Sequence, residues 1–116
     1  MPEILTIALL DSSPFMTVLQ AQGIMDAKTT PALIERCQAA KSEGQNLVLD
    51  LSRITFIASS GIGGLLALAE EFTQAGLNVR FAALSQAVAS VVQLLNLDGF
   101  LNIDDSVSEA TDRMAA

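Results

Sequence analysis

The stretch NLVLDLSRITFIASSGIGGLLALA, residues 46–69, decides the fold of this 116-residue chain. Its apolar run at residues 47–51 is typical of a strand that is buried on both faces of a parallel sheet. Over residues 62–72, apolar side chains recur at spacings of three and four, which predicts an amphipathic helix. Between the two stand the adjacent hydroxyl groups of Ser59 and Ser60, followed by glycines. This order indicates an α/β protein with its chemistry at the turn.

Strand and helix patterns alternate on both sides of this stretch. Upstream, residues 4–10 and 15–22 predict two strands, joined as a hairpin by the turn signal Asp-Ser-Ser-Pro. The chain is then expected to leave the sheet at residues 23–26, and Thr30 followed by Pro31 predicts the N-cap and first residue of a helix. Gly44 and Gly76 are expected to end two helices. Further along the chain, residues 79–84 and 100–103 predict two more strands, separated by a helical stripe at Val88, Val91, Val92 and Leu95. A capping box from Ser106 to Glu109 predicts the start of a last helix.

The resulting order of elements is β-β-α-β-α-β-α-β-α. Alternating strands and helices imply right-handed crossovers and parallel pairing, with the helices packed against the sheet. We therefore predict a single α/β domain over residues 1–116, with a mixed, mainly parallel sheet of about four to five strands and about four helices. A chain of this length can bury a core without disulfides or metals.

The composition excludes several classes of protein. Hydrophobic residues make up 51% of the chain, but no apolar run approaches the length of a membrane-spanning helix. The N-terminus lacks the pattern of a signal peptide. The single cysteine, Cys37, cannot form an intramolecular disulfide and is expected to be a small core residue in a reducing cytoplasm. We therefore expect a cytoplasmic protein.

Charge and side-chain chemistry narrow the function further. A net charge of −7 with only six lysines and arginines argues against direct binding to nucleic acid, and suits docking on a basic protein partner. The chain has no histidine, which removes His general bases, Ser-His-Asp triads and His metal ligands. Asp26 and Asp50 are the acids near the turn, and Asp50 is expected to hold the turn at residues 52–53. We expect no enzyme, no catalytic residue, no metal and no cofactor.

Three interpretations compete for the glycine-rich turn. In the first, Ser59 or Ser60 caps the helix that follows. In the second, the free N–H groups of that helix hold the phosphate of a bound ligand such as a nucleotide, although the turn lacks the lysine of a P-loop. In the third, a serine is itself phosphorylated, which adds a charge of about −1.5 to −2 to an exposed surface. Gly63 and Gly64 fit either close packing against a neighbouring strand or the approach of a partner.

Several segments resemble the signature of STAS domains, in particular that of bacterial anti-sigma factor antagonists. The block VLDLSRITFIASSG, residues 48–61, is similar to the family pattern of an apolar strand, D/N-L-x-x-(V/L)-x-F/Y-(M/I)-D-S-S/T-G and a small-residue helix. Further likenesses are AQGIMD at residues 21–26, GLNV at residues 76–79 and LLNLDGF at residues 94–100. Together they cover nearly the whole chain, in the order of the family fold.

The resemblance implies a regulatory switch. Family members of this kind bind an anti-sigma factor that is also a serine kinase, and this binding releases the sigma factor. The kinase phosphorylates the antagonist, which then loses affinity, and a PP2C-type phosphatase resets it. The acceptor carried over to this chain is Ser59, with Ser60 beside it. The implied partner-binding residues are Asp26, Ala58, Ser59, Ser60, Gly61, Ile62 and Gly63.

One position departs from the family pattern, because Ala58 stands where the family has an aspartate before the acceptor serine. This keeps a second interpretation open. In it, the domain is not phosphorylated and serves as a scaffold or ligand-binding module in a larger complex, such as a lipid-transport ATPase assembly. Neither interpretation involves membrane insertion or direct contact with nucleic acid.

Overall fold

The computed structural model describes residues 4–115, and its secondary-structure elements follow the predicted order. Residues 1–3 and residue 116 lie outside the described residues. The prediction that the N-terminus lacks a signal peptide falls partly on residues 1–3. The elements are β1 (Leu5–Ser12), β2 (Met16–Met25), α1 (Thr30–Ser42), β3 (Asn46–Ile57), α2 (Ser59–Gln74), β4 (Val79–Ala82), α3 (Gln86–Leu94), β5 (Ile103–Asp104) and α4 (Val107–Ala115).

The strands form one five-stranded sheet in the order β1-β2-β3-β4-β5. β1 and β2 make the predicted antiparallel hairpin, whereas the pairs β2–β3, β3–β4 and β4–β5 are parallel. The predicted α/β class, with a mixed, mainly parallel sheet and helices packed against it, is confirmed. β3 lies at the centre of the sheet and makes the most extensive pairing with β2.

The core is organised around β3, because its apolar run faces both sides of the sheet. Leu47, Leu49 and Leu51 belong to the larger cluster of buried residues, to which α1, α2 and α3 contribute. Val48 points to the opposite side and belongs to a smaller cluster that includes Ala110 of α4. The helical members of the larger cluster are Leu33, Cys37, Ile62, Leu65, Leu68, Phe72, Val88 and Val92. The predicted helical stripes therefore supply one side of the core, except that Leu95 lies beyond the end of α3 and is exposed.

β3 is longer than its apolar run, and its extension lengthens the pairing with β2. It extends over residues 46–57, and a shift in register against β2 accommodates the polar residues 52–53. The extension keeps β2 in the sheet as far as Met25, which pairs with Ile57. The predicted end of this strand at Gln22 is therefore wrong, and the chain leaves the sheet only at the last of residues 23–26.

The last two strands are shorter than predicted. β4 ends two residues early because Ala83 adopts a left-handed φ of 53°, which interrupts the extended backbone. The strand predicted at residues 100–103 is displaced towards Asp104. The buried carboxylate of Asp104 is paired with Arg80 of β4 at 2.6 Å and with Arg113 of α4 at 2.8 Å. These ion pairs fix the C-terminal part of the chain to the sheet.

The ends of the helices match the sequence with one exception. Gly44 and Gly76 follow α1 and α2 with φ of 72° and 73°, the left-handed conformation that terminates a helix. The Ser106 hydroxyl oxygen caps α4, 3.1 Å from a backbone nitrogen of its first turn. Thr30, predicted as the N-cap of α1, is instead its first helical residue. Within residues 4–115, no helix has the length and apolar character needed to cross a membrane.

Two glycines in the first half of α2 have different surroundings. A Cβ atom at Gly64 would lie 2.8 Å from Cγ2 of Thr30 and 3.3 Å from Cδ1 of Ile34, so this glycine lets α1 and α2 approach closely. Nothing lies within 4 Å of a Cβ atom placed at Gly63, which is exposed. Close packing therefore explains Gly64, although against a helix rather than the predicted strand. Gly63 remains open to the approach of a partner.

Replacing each glycine by alanine is expected to have opposite effects on stability. Gly63→Ala gains helix propensity without a steric clash and should raise the free energy of unfolding by about 0.5–1 kcal/mol. Gly64→Ala overpacks against the buried, β-branched Thr30 and should lower it by about 1–2 kcal/mol. Urea unfolding followed by circular dichroism measures both. Equal effects of the two substitutions would contradict this packing of α1 on α2.

Candidate functional site

β2 and β3 end side by side, and the segments that follow them form one surface. The Ala58 N–H, directly after β3, donates a hydrogen bond to the carbonyl oxygen of Met25 at 2.9 Å. Gly61 packs on the same group, since a Cβ atom there would lie 2.8 Å from the Met25 oxygen. The turn before α1 and the first turn of α2 are therefore held in contact.

Most of the residues predicted to bind a partner lie at this surface. Ser59, Ser60 and Gly63 are exposed on the first turns of α2. Asp26 and Ala58 are half-buried beside them. These five residues form what we call the α2 N-terminal surface.

The other two predicted residues do not reach the surface. Gly61 and Ile62 are buried in the first turn of α2. Ile62 is 5% exposed and belongs to the larger core cluster. Their positions assign them to the packing of α2 on the sheet, which holds the exposed residues in place.

The N-terminus of α2 has no side-chain cap. Ala58 occupies the N-cap position with φ −89° and ψ 171°, the extended conformation that capping residues adopt, but no side chain accepts a hydrogen bond there. Ser59 and Ser60 lie inside the helix, so the interpretation that one of them caps it is wrong. The first-turn N–H groups and the positive end of the helix dipole therefore favour a negative charge at this surface.

Asp26 is fixed in the turn before α1. Its Oδ1 accepts hydrogen bonds from the backbone N–H groups of Lys28 at 2.9 Å and Thr29 at 3.0 Å. Its own N–H donates to Thr29 Oγ1 at 3.0 Å. The backbone hydrogen bonds from Thr29 and then Lys28 lower the pKa of the Asp26 carboxyl below its usual value of 3.8. A carboxylate that is ionised at neutral pH thus belongs to the α2 N-terminal surface.

An apolar row beside this surface was not predicted. Ile24 of β2 pairs with Phe56 of β3, and its N–H donates to the carbonyl oxygen of Ile4 at 3.4 Å. Ile4 and Phe56 are 62% and 53% exposed. The sequence did contain a signal, because Phe56 and Ile57 are consecutive apolar residues of one strand and must face opposite sides of the sheet. The predicted surface comprised Asp26 and residues 58–63 and did not include this row.

Other candidate reactive groups near the turn are buried or engaged. Cys37 is fully buried, and burial raises the pKa of its thiol to about 12, so it stays protonated. Asp50 accepts hydrogen bonds from the Ser52 N–H at 2.8 Å and from Gln20 Nε2 at 2.9 Å. The bond to Ser52 was predicted, but the turn that it was expected to hold is absent, because residues 52–53 belong to β3. Within residues 4–115, no group of three or more His, Cys, Asp or Glu side chains is arranged to hold a metal ion.

Comparison with known proteins identifies the fold. The family profile of the STAS domain matches residues 8–110. An anti-sigma factor antagonist from Mycobacterium paratuberculosis superposes with a TM-score of 0.84 at 24% sequence identity, over 97% of this chain and 95% of that chain. At these identities, likeness to a solved structure shows a shared fold.

Three further solved structures share this fold. The anti-sigma factor antagonist SpoIIAA in its unphosphorylated form superposes with a TM-score of 0.78 at 20% identity, over 95% of this chain and 96% of that one. The phosphorylated form of Bacillus SpoIIAA gives 0.71 at 21% identity, over 93% and 98%. The murine Slc26a9 anion transporter gives 0.75 at 12% identity, over 97% of this chain but only 22% of the transporter.

Restoring a cap to α2 is expected to stabilise the protein. Ala58→Asn places an acceptor on a backbone that is already extended, and should raise the free energy of unfolding by about 1 kcal/mol. Ala67→Asn, at an exposed position inside the same helix, is the matched control and should lower stability by about 0.5 kcal/mol. Chemical denaturation measures both changes. A loss of stability in Ala58→Asn would show that the first-turn N–H groups already have partners.

The Asp26 carboxyl should titrate below its usual range. Since its pKa is lowered in the folded state, its contribution to stability is present above pH 3.8 and is lost as the pH falls through the lower, folded-state value. The carboxyl carbon shift of Asp26, followed by NMR from neutral pH downwards, should give a midpoint below 3.8. Asp26→Asn keeps the acceptor oxygen and removes the titration. A midpoint at or above 3.8 would argue against the hydrogen bonds to Lys28 and Thr29.

Proposed function

The chain belongs to the STAS domain family, and we propose that it acts as an anti-sigma factor antagonist. It binds an anti-sigma factor that is also a serine kinase through the α2 N-terminal surface, and this binding releases the sigma factor. Phosphorylation of Ser59 by that kinase weakens the complex, and a PP2C-type phosphatase restores the binding form. The observation that carries the proposal is an exposed serine at an uncapped helix N-terminus, beside the Asp26 carboxylate.

Ser59 suits the role of acceptor better than its neighbour. Ser60 lines a cleft between the two helices, together with Ala27, Thr30 and Pro31. Ser59 is the first residue of α2 and is exposed outside that cleft. A kinase can therefore approach the Ser59 hydroxyl without displacing α1.

The local electrostatics explain why a phosphate would be tolerated by the fold and felt by a partner. The positive end of α2 stabilises a phosphate on Ser59, whose charge at neutral pH is about −1.5 to −2. The ionised Asp26 lies on the same surface, so the two groups would create a locally strong negative potential. This potential would repel an acidic region of the partner, and the bulk of the phosphate would disturb a closely packed one. The helix α2 itself would remain folded.

The comparisons and the composition support a regulatory role. Three of the solved structures with the same fold are described as anti-sigma factor antagonists or as SpoIIAA, one of them in a phosphorylated form. The net charge of −7 suits a partner with a basic face. We propose a non-catalytic, cytoplasmic protein that works without a cofactor and makes no contact with nucleic acid.

A second candidate function is favoured by Ala58. The family pattern has an aspartate at this position, and its absence here fits a domain that keeps the docking surface without the phosphorylation switch. In that case the chain is a constitutive scaffold or ligand-binding subunit, for example of a lipid-transport ATPase assembly. The occurrence of the same fold within an anion transporter supports a role of this kind.

Phosphorylation in vitro distinguishes the two functions. The purified chain is incubated with ATP and a cognate anti-sigma factor kinase, and the phosphate is mapped by intact mass and peptide sequencing. We expect one phosphate, on Ser59, since Ser60 lines the cleft between α1 and α2 whereas Ser59 lies outside it. Ser59→Ala should abolish it and Ser60→Ala should not. A complex that forms without any phosphate transfer would favour the scaffold.

Binding of the kinase supplies the second half of this test. Ser59→Asp places a negative charge at the acceptor position and should weaken the complex by about tenfold or more, because like charges at an interface disfavour association. Ser108→Asp, on the exposed side of α4, is the matched control and should leave affinity unchanged. Isothermal calorimetry measures both. Unchanged affinity in Ser59→Asp would contradict a switch at this residue.

A further inference from the structure

A groove lies beside α2 at a distance from the α2 N-terminal surface. It has a volume of about 530 Å³ and lies between α2 and the loop that joins α3 to β5. Its lining residues are Leu66, Ala69, Glu70, Thr73, Gln74 and Phe100. This set, which we call the α2–Phe100 groove, includes none of the residues of the α2 N-terminal surface.

Phe100 makes the groove unusual for an exposed surface. Its side chain is 71% exposed, although a phenyl ring gains more from burial than almost any other side chain. The Phe100 N–H donates to the Leu97 carbonyl oxygen at 2.9 Å, so a closed turn holds the ring opposite α2. Leu66 and Ala69 form the facing apolar wall. An exposed aromatic ring held over an apolar wall has the features of a binding anchor.

The charged residue that lines the groove is negative. Glu70 lines the groove itself, and Asp98, two residues before Phe100 in the same loop, lines a separate depression of about 310 Å³. No lysine or arginine of residues 4–115 lines either of them. Arg80 and Arg113 are already paired with Asp104. The groove therefore suits a partner with basic side chains next to its apolar ones.

The dimensions of the groove match a short helix. Leu66 and Thr73 are seven residues apart on one face of α2, a distance of about 10 Å along the helix axis. This is the length of about two helical turns, over which a docked helix presents apolar side chains at i, i+3 or i+4, and i+7.

We propose that the α2–Phe100 groove binds a basic amphipathic helix of a partner protein. Apolar side chains of that helix pack between Phe100 and the α2 wall, and its lysines or arginines lie near Glu70 and Asp98. Ser59 is also seven residues from Leu66, so this second docking surface continues along the same face of α2. The proposal stands on its own and does not require that Ser59 is phosphorylated.

The direct test is an NMR titration of the ¹⁵N-labelled chain with a synthetic helical peptide of about 15 residues, with leucine on one face and lysine on the other. We expect amide shifts to change at Leu66, Ala69, Thr73 and Phe100, with a dissociation constant on the order of 10–100 µM. A matched peptide with glutamate in place of lysine should bind at least about tenfold more weakly. Equal binding of both peptides, or shifts confined to other surfaces, would overturn the proposal.

Substitutions at the groove complete the test. Phe100→Ser should weaken the lysine peptide by about tenfold or more, since it removes the anchor while leaving an exposed position. Phe15→Ser, at a phenylalanine that is 50% exposed and lies outside the groove, is the control and should change affinity by less than about twofold. Glu70→Lys should weaken the lysine peptide and strengthen the glutamate peptide. Unchanged peptide binding in Phe100→Ser would count against the groove.

Two further measurements distinguish binding of a basic helix from the Ser59 switch and from self-association. Ser59→Asp should leave the affinity for the lysine peptide within about twofold, so failure of the groove and failure of the Ser59 switch give different results. Light scattering of the unliganded chain reports whether a second copy occupies the groove. A dimer that Phe100→Ser converts to a monomer would assign the groove to self-association and would overturn a basic helix as its occupant.

Discussion

The candidate site depends on the parallel pairing of β2 with β3. This pairing continues to Met25 and Ile57, and beyond it the Ala58 N–H donates a hydrogen bond to the Met25 carbonyl oxygen. In a parallel pair, both strands deliver the chain to the same edge of the sheet, and ligand or partner sites form where those ends meet. The last pair fixes where α2 begins relative to the turn of Asp26. Gly61 makes the contact possible, because a side chain there would collide with the Met25 carbonyl. The exposed serines are thus positioned by backbone geometry.

The sequence predicted the element order well because each element carried a local signal. These signals are the apolar run of β3, the three- and four-residue spacing in α2 and the glycines after α1 and α2. Each of them depends only on residues that are close together in the sequence. The lengths of β2 and β3 depend instead on pairing between strands far apart in sequence. Residues 52–53 are polar and look like a turn, yet a register shift keeps them in the strand. No pattern within one segment reports such a shift.

Some residues of the candidate site could likewise be predicted from the sequence, and others could not. Ser59, Ser60 and Asp26 could be found because the resemblance to the family motif and the strand–helix pattern both place hydroxyl and carboxyl groups at this junction. The helical spacing that starts at Ile62 already indicated that this side chain is buried. The burial of Gly61 could not be predicted, since it depends on how α2 rests on Met25. The groove at Phe100 was also out of reach. Its apolar character belongs to two segments about 30 residues apart, and the strand signal at residues 100–103 concealed the exposed ring.

The start of α2 and the part that follows contribute differently to the stability of the helix. Its start combines an alanine at the N-cap with three glycines in the first two turns, a composition that forms helix poorly and leaves N–H groups without a side-chain cap. Leu65, Leu68 and Phe72 further along are fully or almost fully buried, so tertiary packing holds the helix in place in spite of its weak start. An element anchored in this way can accept a change of charge at its exposed end without unfolding.

A phosphate on Ser59 would act over a limited range. The screening length at physiological ionic strength is about 8 Å, whereas Leu66 lies about 10 Å further along the helix axis. The charge would therefore oppose contacts at the α2 N-terminal surface and act only weakly on the α2–Phe100 groove. A partner bound at both places would lose one contact area and keep the other. Phosphorylation would then lower the affinity of such a complex in a graded manner, because the second contact area is outside the reach of the switch.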